Sequence, residues 1–194
     1  MNILIVYAHP NPESFNRALV ESVSQGLQQA NHQVRIKDLY AEQFDPVLQA
    51  EDLARLQAGN TPEKIQREQT ALQWADGLVF VYPLWWFGRP AILKGWFDLV
   101  LTNGFAFRFT EQGFEGLLPQ KRALVLITAG GQKDYFVEQQ AEALVHRPMT
   151  EGTLQFCGIK QVDCRVFYNI PSSSLAERQT ILQNVEALGK DFAC

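Results

Sequence analysis

An α/β fold, built as a three-layer sandwich around a five-stranded parallel sheet of order 2-1-3-4-5, is predicted by three features of this 194-residue sequence. Five short apolar or β-branched runs are bounded by turn residues. The stretches between them are long enough for crossover helices. The first, third and fourth runs are apolar almost throughout, as expected of strands covered on both faces. Right-handed crossovers then make 2-1-3-4-5 the favoured order, with ligands expected beyond the carboxyl ends of the strands.

The first strand is Ile3 to Tyr7. Ser14 to Ala30 follows as an amphipathic helix, with Phe15, Ala18, Leu19, Val23 and Leu27 at spacings of three and four and Ser14 as its cap. The second strand, Gln33 to Asp38, leads into a polar connection from Gln43 to Asn60. Thr61-Pro62-Glu63-Lys64 opens the next helix, Thr61 as cap and Pro62 at the first helical position, and its pattern runs to Trp74. Gly77 to Tyr82 is the third strand, and Pro90 to Leu101 a helix with Ile92, Leu93, Trp96, Phe97 and Val100 on one broad face. Ala123 to Thr128 and Gln161 to Phe167 complete the sheet, and Ser174 to Gly189 is the closing helix. No repeat or linker interrupts this series, so residues 1–194 read as one domain.

Composition narrows the functional classes. The chain is 46% hydrophobic and 20% charged, and its dispersed charges sum to -4, which disfavours nucleic acid as a partner. Cys157, Cys164 and Cys194 form no C-x-x-C pair and fit free thiols in a reducing cytoplasm; Cys157, between Phe156 and Gly158, reads as core. No segment reaches the roughly 18 to 20 apolar residues of a membrane span, so a cytoplasmic protein without membrane insertion is expected. His9, His32 and His146 are scattered with no H-E-x-x-H, and there is no G-x-S-x-G, which argues against a metal centre and a serine hydrolase.

Three loops at strand ends carry the chemical signal. After the first strand, Ala8-His9-Pro10-Asn11-Pro12-Glu13-Ser14-Phe15-Asn16-Arg17 runs into a helix N-terminus, whose free amides and positive dipole suit a phosphate or pyrophosphate. A simple capped turn is the competing reading. Neither the dinucleotide G-x-G-x-x-G nor the P-loop pattern is present there. After the third strand, Pro83-Leu84-Trp85-Trp86-Phe87-Gly88 sets three adjacent aromatics in a connection. They cannot all enter one core face, so the loop can offer amides and a π surface to a planar ring, or plug the gap above the next helix. After the fourth strand, Thr128-Ala129-Gly130-Gly131 is a turn whose glycines permit close backbone approach. In the expected topology these three strand ends adjoin at the switch point.

The ordered set A-H-P-x-x-x-S-F-N at residues 8 to 16, P-L-W-W-F-G-x-P-A-I-L-K-G-W-F-D at 83 to 98, G-F-A-F at 104 to 107 and T-A-G-G at 128 to 131 resembles the flavodoxin-like NAD(P)H:quinone oxidoreductases. That group includes the mammalian quinone reductases and the bacterial drug-activity modulators and general-stress oxidoreductases. The resemblance implies a flavin at the switch point, FAD with FMN as the alternative, reduced by NAD(P)H and reoxidised by a quinone in the same site by a ping-pong cycle. It implies that His9, Ser14, Phe15, Asn16 and Arg17 surround the flavin phosphates, and that Pro83, Leu84, Trp85, Trp86 and Phe87 line the ring edge. Thr128, Ala129, Gly130 and Gly131 would contact the pyrimidine side, and Arg178 matches a family arginine near the distal end of the nucleotide. Phe107, Phe109 and Phe156 fall where the family places aromatic walls of a substrate pocket shared across a homodimer. Related enzymes reduce azo and nitro compounds, and related flavoproteins regulate potassium efflux systems, two alternative functions on the same scaffold.

The sequence also departs from the family pattern. Ala129 stands at the second position of T-T-G-G, three residues rather than four separate Gly131 from Tyr135, and Ala141 stands where the family has its catalytic His. Tyr135 is then the candidate proton donor. Phe107 and Phe109 replace family tyrosines, so a more apolar acceptor pocket is expected.

Overall fold

A computed structural model describes residues 1–192. Its central sheet holds strands β1 (Asn2–Tyr7), β2 (Gln33–Asp38), β3 (Gly77–Pro83), β6 (Arg122–Thr128) and β7 (Gln161–Phe167), all parallel, in the order β2-β1-β3-β6-β7. This is the expected 2-1-3-4-5 order with a two-stranded insertion, β4 (Phe107–Thr110) and β5 (Gly113–Gly116), numbered between its third and fourth strands. β3 is buried at all seven positions, and β1 and β6 at all but their first residue, as their apolar runs require. β2 lies at one edge and exposes Gln33, Arg35 and Ile36, with Arg35 and Lys37 placing charge along it.

Alternation along the central strands makes two cores. On one face Ile3, Ile5, Tyr7, Val79, Val81, Leu124 and Leu126 meet Leu19, Val23 and Leu27 of α1 (Phe15–Gln29) and Val185 of α7 (Leu175–Lys190). On the other, Leu4, Val6, Phe80, Val125 and Ile127 meet α3 (Glu63–Trp74) and α4 (Ala91–Val100), with Trp96 fully enclosed. The Trp96 indole donates to the buried Glu68 carboxylate at 2.7 Å, and the other Glu68 oxygen pairs with Lys37 Nζ at 3.1 Å.

Helix ends follow the expected caps in most cases. The Ser14 hydroxyl accepts from the Arg17 amide, and Ser174 forms a capping box with Glu177. At α3 the expectation shifts by one residue: Pro62 occupies the cap position, and its carbonyl accepts from the Ile65 and Gln66 amides. The Gln43–Asn60 connection is also less irregular than expected, because α2 (Ala50–Gln57) forms within it, its acidic first turn tied by Asp52 to Lys64. Between β6 and β7 the chain folds into α5 (Lys133–Glu138), α6 (Glu142–His146) and a π-helical turn, Thr150–Gln155.

Helices α1 and α7 pack backbone to backbone. A Cβ on Gly26 would collide with the Glu186 carbonyl, and one on Gly189 would lie 2.5 Å from the Val23 carbonyl. Among the described cysteines, Cys157 and Cys164 are free thiols, and burial pushes them up to about 11 and about 12. Cys194 lies outside the described residues. No helix among the described residues is long and apolar enough to cross a membrane, and those residues hold no cluster of metal-ligating side chains.

Candidate functional site

The three loops singled out in the sequence meet at the carboxyl ends of β1, β3 and β6, held together by two hydrogen bonds and one ring contact. Asn16, 3% exposed, donates from Nδ2 to the Thr128 hydroxyl at 2.8 Å, joining the first loop to the third. The Leu84 amide donates to the Thr128 carbonyl at 2.7 Å, joining the second to the third. His9 and Trp85 approach with ring centroids 6.2 Å apart, joining the first to the second. The strand alternation dictates this: Thr128 ends a buried parallel strand, so its side chain and carbonyl are delivered to the neighbouring loops in fixed register with Pro83.

The first loop is a helix entry with side-chain donors and acceptors already arranged. Asn11 Oδ1 accepts from the Glu13 amide, and the Ser14 amide donates to the Asn11 carbonyl, which turns the chain into α1. The amides of Phe15 and Asn16 stand in the first turn, where no helical carbonyl lies behind them. His9 Nδ1 lies 3.0 Å from the Asn11 amide and 3.2 Å from the Asn11 carbonyl, and burial lowers the His9 pKa so that the neutral form is favoured. Ser14 also meets the buried Tyr7 hydroxyl at 3.1 Å. Arg17 turns along its own helix to pair with Glu21 at 2.9 Å. Asn16 Oδ1 is buried and has no hydrogen-bond partner.

The second loop is a two-residue hairpin. Trp85 and Gly88 exchange both amide-carbonyl bonds at 2.9 Å, and Trp86 and Phe87 between them have φ of 52° and 58°. Both central residues are therefore left-handed, the type I′ pattern that Asn-Gly fills most easily. Two bulky aromatics here cost on the order of 1 to 2 kcal/mol each in backbone strain. Trp86 is 99% exposed, so packing does not repay its share of that strain. Phe87 packs edge-on against Phe136 at 5.6 Å, and Phe136 in turn meets Tyr168 at 5.2 Å and Tyr135 at 5.6 Å.

In the third loop Gly130 is exposed, and a Cβ there would meet nothing nearer than a Pro171 side-chain carbon at 3.9 Å. A Cβ on Gly131 would press on Phe136 at 2.9 Å. The loop is anchored behind by the Ala129 amide on the Phe167 carbonyl and the Ile170 amide on the Ala129 carbonyl. Tyr135, on α5, is 53% exposed beside this turn.

Arg178 does not reach the three loops. Its guanidinium donates to the Ser173 hydroxyl and the Ile170 carbonyl, both at 2.9 Å, and braces the turn between β7 and α7. That turn borders an open groove of about 460 Å³ lined by Tyr168, Asn169, Ser173, Ala176, Glu177 and Thr180.

Phe107, Phe109 and Phe156 come together, with centroids at 5.8 Å and 5.4 Å from Phe107, and a fourth ring joins them. Phe114 lies 4.9 Å from both Phe109 and Phe156. It is absent from the sequence expectation although a signal existed: Thr110-Glu111-Gln112-Gly113 reads as a hairpin turn, which pairs Phe109 with Phe114 across the strands. Phe109 and Phe114 remain 67% and 60% exposed, leaving an aromatic patch open to solvent. Phe136 is the other omission, since a single buried Phe in a polar stretch has no periodicity to reveal it.

Comparisons with known proteins agree with this architecture. A family model described as a flavodoxin-like fold matches residues 1–190. An uncharacterised NAD(P)H oxidoreductase of Haemophilus influenzae is 40% identical over 172 residues, 88% of this chain and 85% of that protein. NAD(P)H dehydrogenase [quinone] 1 of Cavia porcellus is 33% identical over 201 residues, 92% of this chain and 72% of its own. Among solved structures, the NAD(P)H:quinone oxidoreductase from Methanothermobacter marburgensis superposes with a TM-score of 0.89 at 31% identity, covering 98% of each chain. The continuous match from β1 through α7 and the adjoining strand-end loops lead to one assignment: the chain belongs to the flavodoxin-like family that includes these NAD(P)H dehydrogenases and quinone oxidoreductases.

Proposed function

We propose that this protein is a flavin-dependent NAD(P)H:quinone oxidoreductase, working as a single flavin-binding domain paired in a homodimer in the cytoplasm. The observation that carries the reading is the junction of the three loops at the carboxyl ends of β1, β3 and β6, where Thr128 bonds both Asn16 of the first loop and Leu84 of the second. Asn16 Oδ1, buried and unpartnered, suits a hydroxyl donor such as those of a ribityl chain. Gly130 leaves room for a ring to approach the backbone. The amides of Phe15 and Asn16 at the start of α1 suit a phosphate. These residues fit a flavin nucleotide.

When bound, that group supplies the two-electron relay from NAD(P)H to a quinone. The chain's own residues bind and orient. His9, Ser14, Phe15, Asn16 and Arg17 hold the phosphate end; Pro83, Leu84, Trp85, Trp86 and Phe87 bound the ring edge; Thr128, Ala129, Gly130 and Gly131 offer amides to its pyrimidine side. Tyr135, whose ring meets Phe136 edge-on beside the third loop, is the proposed proton donor to the acceptor. FAD rather than FMN is favoured by the open groove beside the turn that Arg178 braces, which offers space for an adenosine half. The exposed Phe109 and Phe114 support a dimer in which Phe107, Phe109 and Phe156 wall the acceptor site. The free thiols Cys157 and Cys164 support a reducing compartment.

An absorption spectrum of the purified protein tests the reading, with chromatography of the released cofactor and light scattering of the eluted peak. Oxidised-flavin bands that bleach with NADPH and return with a quinone are expected, with FAD released and a dimer mass. A protein that takes up neither flavin overturns it.

A further inference from the structure

Arg89 is half-buried between Gly88 and Pro90, directly after the Trp86-Phe87 turn. Its guanidinium faces no carboxylate within ion-pair distance among the described residues. Instead it spans two points of a distant segment: Nη1 donates to the Pro148 carbonyl at 3.4 Å, and Nη2 to the Thr153 hydroxyl at 3.2 Å. That hydroxyl itself donates to the Pro148 carbonyl at 2.8 Å, closing a small ring of bonds across the π-helical turn. The turn runs from Thr150 to Gln155, and Phe156 caps it and packs on Phe107 and Phe114. The flat face of the guanidinium rests over Phe97 of α4 at 4.9 Å, and Nε is buried without a partner.

For stability alone this is a poor use of the space. An aliphatic side chain would fill it without desolvating a charge, and burial in fact depresses the Arg89 pKa. What a rigid fork supplies and an aliphatic chain cannot is a directed link between two segments. One segment ends in Trp85, Trp86 and Phe87, and the other in Phe156. A π-helical turn is a local distortion often found beside functional sites, and this one is held just before its start, at Pro148, and at its middle, at Thr153, by the same cation.

We propose that Arg89 is a positioning residue that fixes the Phe156-bearing turn relative to the Trp85–Gly88 hairpin, and thereby sets the size of acceptor the site admits. The proposal rests on the quinone-reductase reading. It acts through Phe156 and the hairpin, not through contact with the acceptor.

The test compares wild-type holoenzyme with Arg89→Met and Arg89→Lys, using a benzoquinone and a bulky substituted naphthoquinone as acceptors. Hydrogen exchange is followed in residues 84–88 and 148–157. With the link broken, Arg89→Met exchanges faster in both segments, and the ratio of the two KM values shifts by about fivefold or more while kcat for benzoquinone holds. Arg89→Lys keeps the charge but loses the fork, so it shows the same shift, and it carries the test should the Met variant fail to fold. Faster exchange confined to one segment, an unchanged KM ratio, or wild-type behaviour in Arg89→Lys each overturns the proposal. A wild type that reduces no quinone overturns the functional reading and the selectivity role together, whereas normal wild-type turnover with an unchanged ratio in Arg89→Met overturns Arg89 alone.

Discussion

The adjacent glycines of the third loop separate ligand space from folding space, and substituting each in turn reads the two independently. At Gly130 an added Cβ meets only Pro171 at 3.9 Å, so Gly130→Val leaves the stability of the flavin-free protein within about 0.5 kcal/mol of wild type. The same side chain projects into the space the proposed ring needs, and losing one or two backbone contacts there costs roughly 1.5–3 kcal/mol of binding, about 10- to 100-fold in Kd. At Gly131 the Cβ presses on Phe136 at 2.9 Å, and Phe136 is already packed against Phe87 and Tyr168. Gly131→Ala therefore destabilises by about 1–3 kcal/mol, equivalent to a fall of roughly 2–12 °C in Tm for a domain of this size. Thermal unfolding of the flavin-free variants and titration with flavin, followed by the quenching of its fluorescence, give both quantities. Wild-type flavin affinity in Gly130→Val would refute the placement of the ring, and a large loss of stability there would refute the geometry of the loop.

Other perturbations follow from the same structure. Trp96→Phe strips the buried Glu68 oxygen of its 2.7 Å indole donor, and a loss of about 1.5–3 kcal/mol is expected by chemical denaturation with flavin content unchanged; unaltered stability contradicts the bond. His9, whose folded pKa burial depresses, contributes stability that is complete above the unfolded value of about 6.5 and is lost as pH falls through the folded value. Tm measured from pH 7.5 to 5 should therefore fall more steeply for wild type than for His9→Gln, and parallel curves would count against a half-buried imidazole held neutral. Tyr135→Phe is expected to slow acceptor reduction more than acceptor binding, and identical stopped-flow traces would remove its hydroxyl from the proposed proton transfer.

The sheet was legible because its signal is redundant: β3 and β6 are apolar at nearly every position, and no other element type tolerates such runs between turn residues. The cradle loops were legible for a related reason, since each follows a strand whose end the topology locates. The hairpin geometry at Trp86-Phe87 was not, because left-handed turns are recognised by Asn and Gly, and two aromatics carry no such mark. α2 was hidden in a polar connection because eight residues supply too few apolar positions for a periodicity. Arg178 shows a further limit: the family resemblance put it near the distal end of the nucleotide, and no sequence pattern announced that its guanidinium also braces the turn between β7 and α7 through the Ser173 hydroxyl and the Ile170 carbonyl.

The backbone contact between Gly26 and Gly189 bears on how the chain assembles as it is made. α1 forms among the first residues to leave the ribosome, yet the surface it covers stays half-dressed until residues 175–190 emerge and seat against it. Until then Leu19, Val23 and Leu27 lack the Val185 side of their packing, and at about 5–20 residues per second the chain between α1 and α7 takes roughly 7 to 30 seconds to make. Nascent chains stalled before residue 175 should expose this seam to chaperones, and release should close it in one late step.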